Sequence, residues 1–347
     1  MQMILKSNSI TKPKIVVVGS SNTDMVIKLD RLPRPGETVL GGDFFHAAGG
    51  KGANQALAAA LAGGEIKFVA RVGRDMFGAQ AVERLVEAGV NVEHVIREES
   101  LPSGVALIFL AKDGVNSIAV AGGANARLSP ADIEKASAAI AGADVVLMQL
   151  ETPMETVRVV AELAARAEVP FILNPAPATA LPAELLKLVS ILTPNETESE
   201  LLTGIAVTDE NSAGRAAEQL LSLGVKAVIL TLGSRGVFVA TAVTSELVPG
   251  FQVQAVDATG AGDVFNGALA VALAEGKPLL EAARFANAAA AISVTRLGAQ
   301  PSAPRRKEID SLLTRAGSRT ETAPAGPVSQ PVLPAVLRLR PEAPITI

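Results

Sequence analysis

Short β-branched runs alternate with stretches of helical periodicity along this chain, and that alternation argues for a parallel sheet covered on both faces. The runs are KIVVVGS (14–20), IKFVA (66–70), DVVLMQL (144–150), PFILN (170–174), SILTP (190–194) and AVILTL (227–232). They are brief, apolar and stopped by turn residues, as buried strands are. Between them lie NQALAAALA (54–62), GAQAVERLVEAGV (78–90), PMETVRVVAELAARA (153–167) and NSAGRAAEQLLSLG (211–224), all helical in pattern. In such a sheet ligands gather at the carboxyl ends of the strands.

Two stretches break the alternation. Residues 24–42 and 103–123 carry strand-like runs with no helix between them, and the second holds a DG turn signal, so both read as antiparallel hairpins. Together, within about 24–42 and 92–122, they predict a small sheet lying over the strand ends as a lid. KEIDSLLTRAG (307–317) reads as the last helix. Residues 318–347 hold six prolines without apolar periodicity, the composition of an extended tail, and residues 1–13 read as a flexible extension. The folded unit is thus expected over 14–317.

Composition narrows the function. Apolar residues make up 49% of the chain, yet no apolar run approaches the length of a membrane span, and the start lacks a secretory signal pattern. The absence of cysteine removes disulfides, thiolate metal sites and a thiol nucleophile, and suits a cytoplasmic setting. A net charge of −4 argues against nucleic acid as a partner. With only His46 and His94 present, histidine-based hydrolysis and histidine-rich metal sites start weak.

The most informative stretch is DATGAGDVFNG (257–267), two aspartates around a glycine-rich turn that opens onto a helical pattern. It lacks the dinucleotide G-x-G-x-x-G spacing, and Lys51 in GGKGANQ is followed by glycine, so neither common phosphate motif applies. Gly260 and Gly262 nevertheless permit close backbone approach, and unpaired amides at a helix start from Asp263 onward would make a hole for a phosphoryl group. Asp263 then has two readings, an N-cap of that helix or a general base beside the anion hole.

DATGAGDVFNGALA (257–270) is similar to the second signature of the PfkB carbohydrate kinase family, and AAGGKGANQALAAALAG (47–63) to its first. GSSNTDMV (19–26), LMQLETP (147–153), LNPAPA (173–178), LTPNETESELLTG (192–204), TLGSRGV (231–237) and TRLGAQPSAP (295–304) resemble the ribokinase branch of that family. The resemblance covers about residues 14 to 315. It implies an α/β fold, a three-layer αβα sandwich with a mostly parallel central sheet and a small β-sheet lid. It also implies transfer of the γ-phosphoryl group of ATP to the 5-hydroxyl of D-ribose.

Carried onto this sequence, the resemblance makes Asp263 the general base, with an anion hole at the amides of Ala261, Gly262 and Asp263 in the turn begun by Gly260. The sugar positions fall on Asn22, Thr23, Asp24, Gly50, Lys51, Gly52, Ala53, Asn54 and Glu151. Read without the family, Asn22 and Asp24 are equally an ordinary turn after the first strand, whereas Glu151 follows a strand where ligands gather. For the nucleotide, the resemblance implies Asn195 and Glu198 near Mg²⁺, then Thr231, Leu232, Gly233, Ser234, Arg235 and Gly236, with Gly262 and Asn287. By itself NETE (195–198) reads as an acidic helix start, and Asn287 stands where many relatives have histidine. A site for K⁺ is implied at Asp257, Thr259, Ser293, Arg296, Gly298 and Ser302, as is a homodimer formed through the lid. The other readings are a related kinase of deoxyribose, fructose or a nucleoside, and a non-catalytic sugar-binding protein.

Overall fold

The computed structural model describes residues 12–113 and 115–321, with side chains described through residue 316. The expected N-terminal extension and proline-rich tail therefore lie almost wholly outside the described residues.

The first strand is β1 (Lys14–Val18), whose last four residues are buried. Beside it in the main sheet run β4 (Glu65–Gly73) and β5 (Asn91–Glu98) on one flank. On the other flank run β8 (Val145–Met148), β9 (Phe171–Leu173), β10 (Ile191–Leu192) and β11 (Ala227–Thr231). All of these pair in parallel. Two further strands, β12 (Gly236–Thr241) and β13 (Ser245–Pro249), extend the edge antiparallel.

Alternate strand residues fill two separate cores, which is what makes the fold three-layered. Ile15, Val17, Phe68, Leu147, Ile172 and Ile229 point to one face. Val16, Val18, Val69, Met148, Phe171 and Leu230 point to the other. The first face is covered by α1 (Lys51–Leu61), α9 (Ala261–Ala274) and α10 (Leu279–Ser293), with α2 (Met76–Glu87) and α11 (Arg306–Glu321) at its margins. The second is covered mainly by α5 (Met154–Arg166) and α8 (Glu210–Ser222), helped by the short α3 (Pro130–Lys135), α4 (Ser137–Ala141) and α6 (Ala183–Leu186). The short α7 (Glu196–Thr203) follows β10.

The lid is a four-stranded sheet in the order β3-β2-β6-β7. Here β2 is Asn22–Leu29, β3 Asp43–Gly49, β6 Gly104–Ala111 and β7 Asn116–Ala121. Three sequence expectations are corrected at this point. The return strand of the first hairpin is β3, beyond residue 42, because residues 30–42 form a long connection rather than a second strand. Residues 92–98 belong to β5 of the main sheet, where they pair with β4, so the lid begins only at Gly104 on that side. The last helix continues to Glu321, four residues past its expected end at 317.

Candidate active site

The carboxyl ends of the parallel strands β1, β8, β9, β10 and β11 lie on one side of the sheet, and the loops and helix starts leaving those strand ends build the site. After β1, the chain runs through Gly19–Ser21 straight into β2, so Asn22 and Asp24 stand at the root of the lid rather than in an isolated turn. Asn125 fixes this junction. Its Oδ1 accepts from the Ser21 amide at 2.9 Å, and its Nδ2 donates to Asn22 Oδ1 at 2.7 Å.

Helix α1 starts at Lys51 behind Gly50, whose φ of 87° only glycine adopts without strain, and an added Cβ there would press on the Asn22 amide at 2.6 Å. A Cβ on Gly49 would meet the Asp24 carboxylate at 2.3 Å and displace that side chain. Past β8, Glu151 Oε2 accepts from the Lys51 amide at 3.0 Å and from Ser20 Oγ, which ties the β8 end to the start of α1. Thr23, Gly52 and Ala53 shape this wall with their backbone, and all three are buried.

Helix α9 begins at Ala261, and its cap is Gly260 in the left-handed region at φ 73°. The expectation that the helix starts at Asp263 is thereby corrected, and with it the reading of Asp263 as an N-cap. Asp263 lies inside the first turn, and its carboxylate caps nothing. It accepts from Asn54 Nδ2 at 2.9 Å on Oδ2 and from Gln55 Nε2 at 3.0 Å on Oδ1. Of the turn amides, Ala261 N–H donates to the Ala258 carbonyl, whereas those of Gly262 and Asp263 have no acceptor among the described residues. A Cβ on Gly262 would meet nothing within 4 Å, so this face of the turn is open.

The carboxylates here are electrostatically coupled. Burial raises Asp263 above the ordinary aspartate range and the Glu151 charge adds to the rise, while the Lys51 charge and the two amide hydrogen bonds oppose it. Asp24 is pushed up to about 6, by burial first and then by the charges of Glu151 and Asp263, against Lys51. Burial likewise raises Glu198.

The sign of the Asp24 shift gives a first prediction. A folded-state value above the ordinary 3.8 means that the folded chain holds this proton more tightly than the unfolded chain. Asp24 therefore removes stability as pH rises from 3.8 toward about 6. Asp24→Asn is expected to raise the melting temperature relative to the wild type at pH 7 and to leave little difference near pH 4. Equal melting temperatures at pH 7, from differential scanning calorimetry, would refute the buried charge.

Beside the open turn lies a cavity of about 340 Å³ walled by Thr231, Gly233, Ser234, Gly236, Asn287 and Gly262. That volume falls within the range of small-ligand sites. Other nucleotide candidates do not face it through their side chains. Leu232 is buried in the core, and Arg235 turns away to the Thr208 carbonyl and Glu196. The Asn287 amide donates to the carbonyls of Val248 and Pro249, which leaves its Oδ1. Asn195 and Glu198 form a reciprocal capping box at the start of α7, as the acidic helix-start reading implies.

The six cation candidates come from two segments, Asp257 and Thr259 before α9, and Ser293, Arg296, Gly298 and Ser302 at and after the end of α10, which the Asp257–Gly298 bond joins. Asp257 Oδ1 accepts from Thr259 at its amide and hydroxyl, and Oδ2 accepts from the Gly298 amide at 2.8 Å. These bonds hold the Asp257 carboxyl low against the opposing effect of its partial burial. The Ser293 and Ser302 hydroxyls bond to the Ala290 and Ala299 carbonyls, and Arg296 reaches the Ser302 carbonyl and Glu308.

Two glycine-rich turns, a buried carboxylate and an adjoining cavity agree with a comparison over the whole sequence, in which residues 12–306 match the pfkB family of carbohydrate kinases. The chain belongs to that family. This PfkB chain is 45% identical over 302 residues to the ribokinase of Haemophilus influenzae, covering 87% of this chain and 99% of that protein. It is similar in structure to the ribokinase of Thermotoga maritima, with a TM-score of 0.80 and 42% identity over 87% of this chain and 99% of that one. It is also similar to the Arabidopsis thaliana ribokinase solved with ribose and ATP, with a TM-score of 0.81 and 40% identity over 87% and 99% of the two chains.

Sequence reading of this PfkB chain missed Gln55, Asn125 and Asn174, all buried polar side chains wired to the site. One signal was available for Gln55. It follows Asn54 at the head of an otherwise alanine-rich apolar helix, where a buried amide must find partners. For Asn125 and Asn174 no local signal exists, because their partners lie at least 19 residues away in sequence.

Proposed function

We propose that this PfkB chain phosphorylates D-ribose at O5 with ATP, yielding D-ribose 5-phosphate and ADP. The observation that carries this reading is the Asp263 carboxylate, buried and aligned by two amides, beside the acceptor-free amides of Gly262 and Asp263 where the sugar wall meets the cavity. Its likeness to a ribokinase solved with ribose and ATP supports the same substrates.

In this reading Asn22, Asp24, Lys51, Asn54 and Glu151 hold the sugar hydroxyls, and ATP lies in the cavity with its γ-phosphate at the turn. Asp263 takes the proton of O5 as O5 attacks the γ-phosphorus, and the bond to the ADP oxygen breaks. The Gly262 and Asp263 amides receive the negative charge that builds on the transferring group. Ala261 serves the hole only if its amide leaves Ala258. Glu198 and Asn195 would hold Mg²⁺ through water by their side-chain oxygens, and the ion, when bound with the phosphates, would supply charge neutralisation there. Asp257 and nearby carbonyls suit K⁺, whose charge would order the loop against Gly260.

The lid supports a homodimer. Its pleat sets Phe45, Ile118 and Val120 on the same face as Asp24, and all three apolar side chains are exposed. Pairing with a second copy would cover them, and sedimentation at the monomer mass would overturn the pairing. The absence of cysteine is consistent with a reducing cytoplasm. Among the described residues no helix is long and apolar enough to cross a membrane.

The deciding assay measures ADP release with D-ribose, 2-deoxyribose, fructose and a nucleoside, with MgATP and a KCl series, alongside isolation of the sugar phosphate. D-ribose is expected to give the highest kcat/KM and ribose 5-phosphate as product. A better rate with another sugar, or sugar binding without turnover, would replace this reading. Independence of rate from KCl would remove the cation assignment alone.

A further inference from the structure

Gln55 is fully buried one residue after Asn54, and its side chain has every hydrogen-bonding group occupied. Its Nε2 donates to Asp263 Oδ1 at 3.0 Å and to Asn174 Oδ1 at 3.1 Å, and its Oε1 accepts from Gln149 Nε2 at 2.5 Å. An amide with both N–H groups and its oxygen engaged cannot flip without setting oxygen against the carboxylate. The Asp263 carboxylate is thereby held from behind in one rotation.

The network continues to the other half of the chemistry. Asn174 Nδ2 donates to the Thr193 carbonyl at 3.1 Å, Thr193 Oγ1 donates to Asn266 Oδ1 at 2.7 Å, and Asn266 Nδ2 donates to the Gly262 carbonyl at 2.8 Å. The Gly262 carbonyl shares a rigid peptide plane with the Asp263 amide, one of the two open donors of the turn. Gln149, Asn174, Thr193 and Asn266 are all buried, and each has a side-chain partner in this network, with Gln149 Oε1 alone among their side-chain polar atoms left without an acceptor bond among the described residues.

We propose that Gln55 is a positioning residue for phosphoryl transfer: it fixes the Asp263 carboxylate directly and, through Asn174, Thr193 and Asn266, fixes the Gly262–Asp263 peptide, so that base and anion hole keep one relative placement. This inference rests on the ribose kinase reading above and adds a residue to its mechanism. Gln55 touches neither reactant, and its effect on rate passes through Asp263.

The effect on titration has a definite sign. Around Asp263 stand the ammonium of Lys51 and the carboxylates of Asp24, Glu151 and Glu198, all of which a substitution at Gln55 leaves in place. The Gln55 hydrogen bond favours the ionised form of Asp263, so its removal makes the base harder to ionise and moves the acid limb of the kcat profile to higher pH.

Gln55→Met, which keeps an unbranched side chain of similar length, tests this in the full chain beside the wild type. Expected are a fall of about 10- to 100-fold in kcat, with KM for ribose and ATP changed by less than about threefold, and an acid limb displaced upward. An acid limb at the wild-type pH overturns the proposal whatever happens to the melting temperature, because a purely structural role lowers stability without changing the titration of the folded enzyme. If Gln55→Met does not fold, Gln55→Met/Gln149→Met replaces both bonded amides together and is read the same way. A wild type that forms no ribose 5-phosphate would instead fail the ribose kinase reading and this inference with it. A normal wild type with an unmoved variant fails this inference alone.

Discussion

Asp263→Asn is expected to lower kcat by about 10² to 10⁴ while ribose and ATP still bind. The substitution keeps shape and burial, and a neutral amide suits a site where burial disfavours charge. It removes the proton acceptor and also creates one local conflict. Both carboxylate oxygens accept from amide donors, Asn54 on one side and Gln55 on the other, so the new Nδ2 must face one of those N–H groups. Stability should therefore shift by no more than about 1 to 3 kcal/mol in either direction, too little to explain the loss in rate. Calorimetric titration of each ligand, with turnover measured on the same folded sample, separates binding from chemistry. Turnover within tenfold of the wild type would remove Asp263 from the role of base.

The second large effect is expected at Gly267, where α9 crosses α1. A Cβ there would lie 2.6 Å from the Gln55 carbonyl oxygen and 2.8 Å from the Ala59 amide, both backbone atoms of α1 that cannot swing aside. Gly267→Ala gains up to about 1 kcal/mol of helix propensity. Forcing the helices apart costs about 1 to 3 kcal/mol, and the contact here is at the severe end of that range. The net expectation is a lower melting temperature. Activity should fall as well, because α9 carries Asp263 and the turn amides while α1 carries Asn54 and Gln55, and separating the helices lengthens the bonds between them. Urea denaturation with parallel kcat measurement checks both, and a variant as stable and active as the wild type would show that the crossing tolerates a methyl group.

Much of this architecture is legible in the sequence, for reasons that differ by element. Runs such as IVVV and VVLM are apolar at every position because each face of their strands is covered, and no amphipathic strand competes with that pattern. β12 and β13 are absent from the expected strand runs; GVFVAT begins on the last glycine of the turn at 233–236, with no turn residue to set it apart from the nucleotide motif. The return strand of the lid escaped because FFHAAG overlaps the first glycine signature, while TVL at 38–40, which looks strand-like, lies in the connection with Leu40 91% exposed. At the site, Asp263 and Gly260 stand out in a glycine-rich turn that opens a helix and Glu151 by its place at the end of a strand, so these could be singled out. Hydrogen-bond partners could not. That the Asp263 carboxylate faces Gln55 depends on a contact across 208 residues, and no local pattern encodes it.

The crossing of α1 and α9 also bears on the order in which the molecule is made. Helix α1 presents Ala53, Ala56 and Ala59 to the core from near the beginning of the chain, whereas its cover arrives roughly 200 residues later. A ribosome therefore releases the first strands and the lid long before the apolar side of α1 can be sealed, so this side stays exposed during synthesis. The base travels on the sealing helix itself. No partly assembled chain can hold the carboxylate against its amide partners, so regain of turnover on refolding times the docking of α9 and the completion of the core.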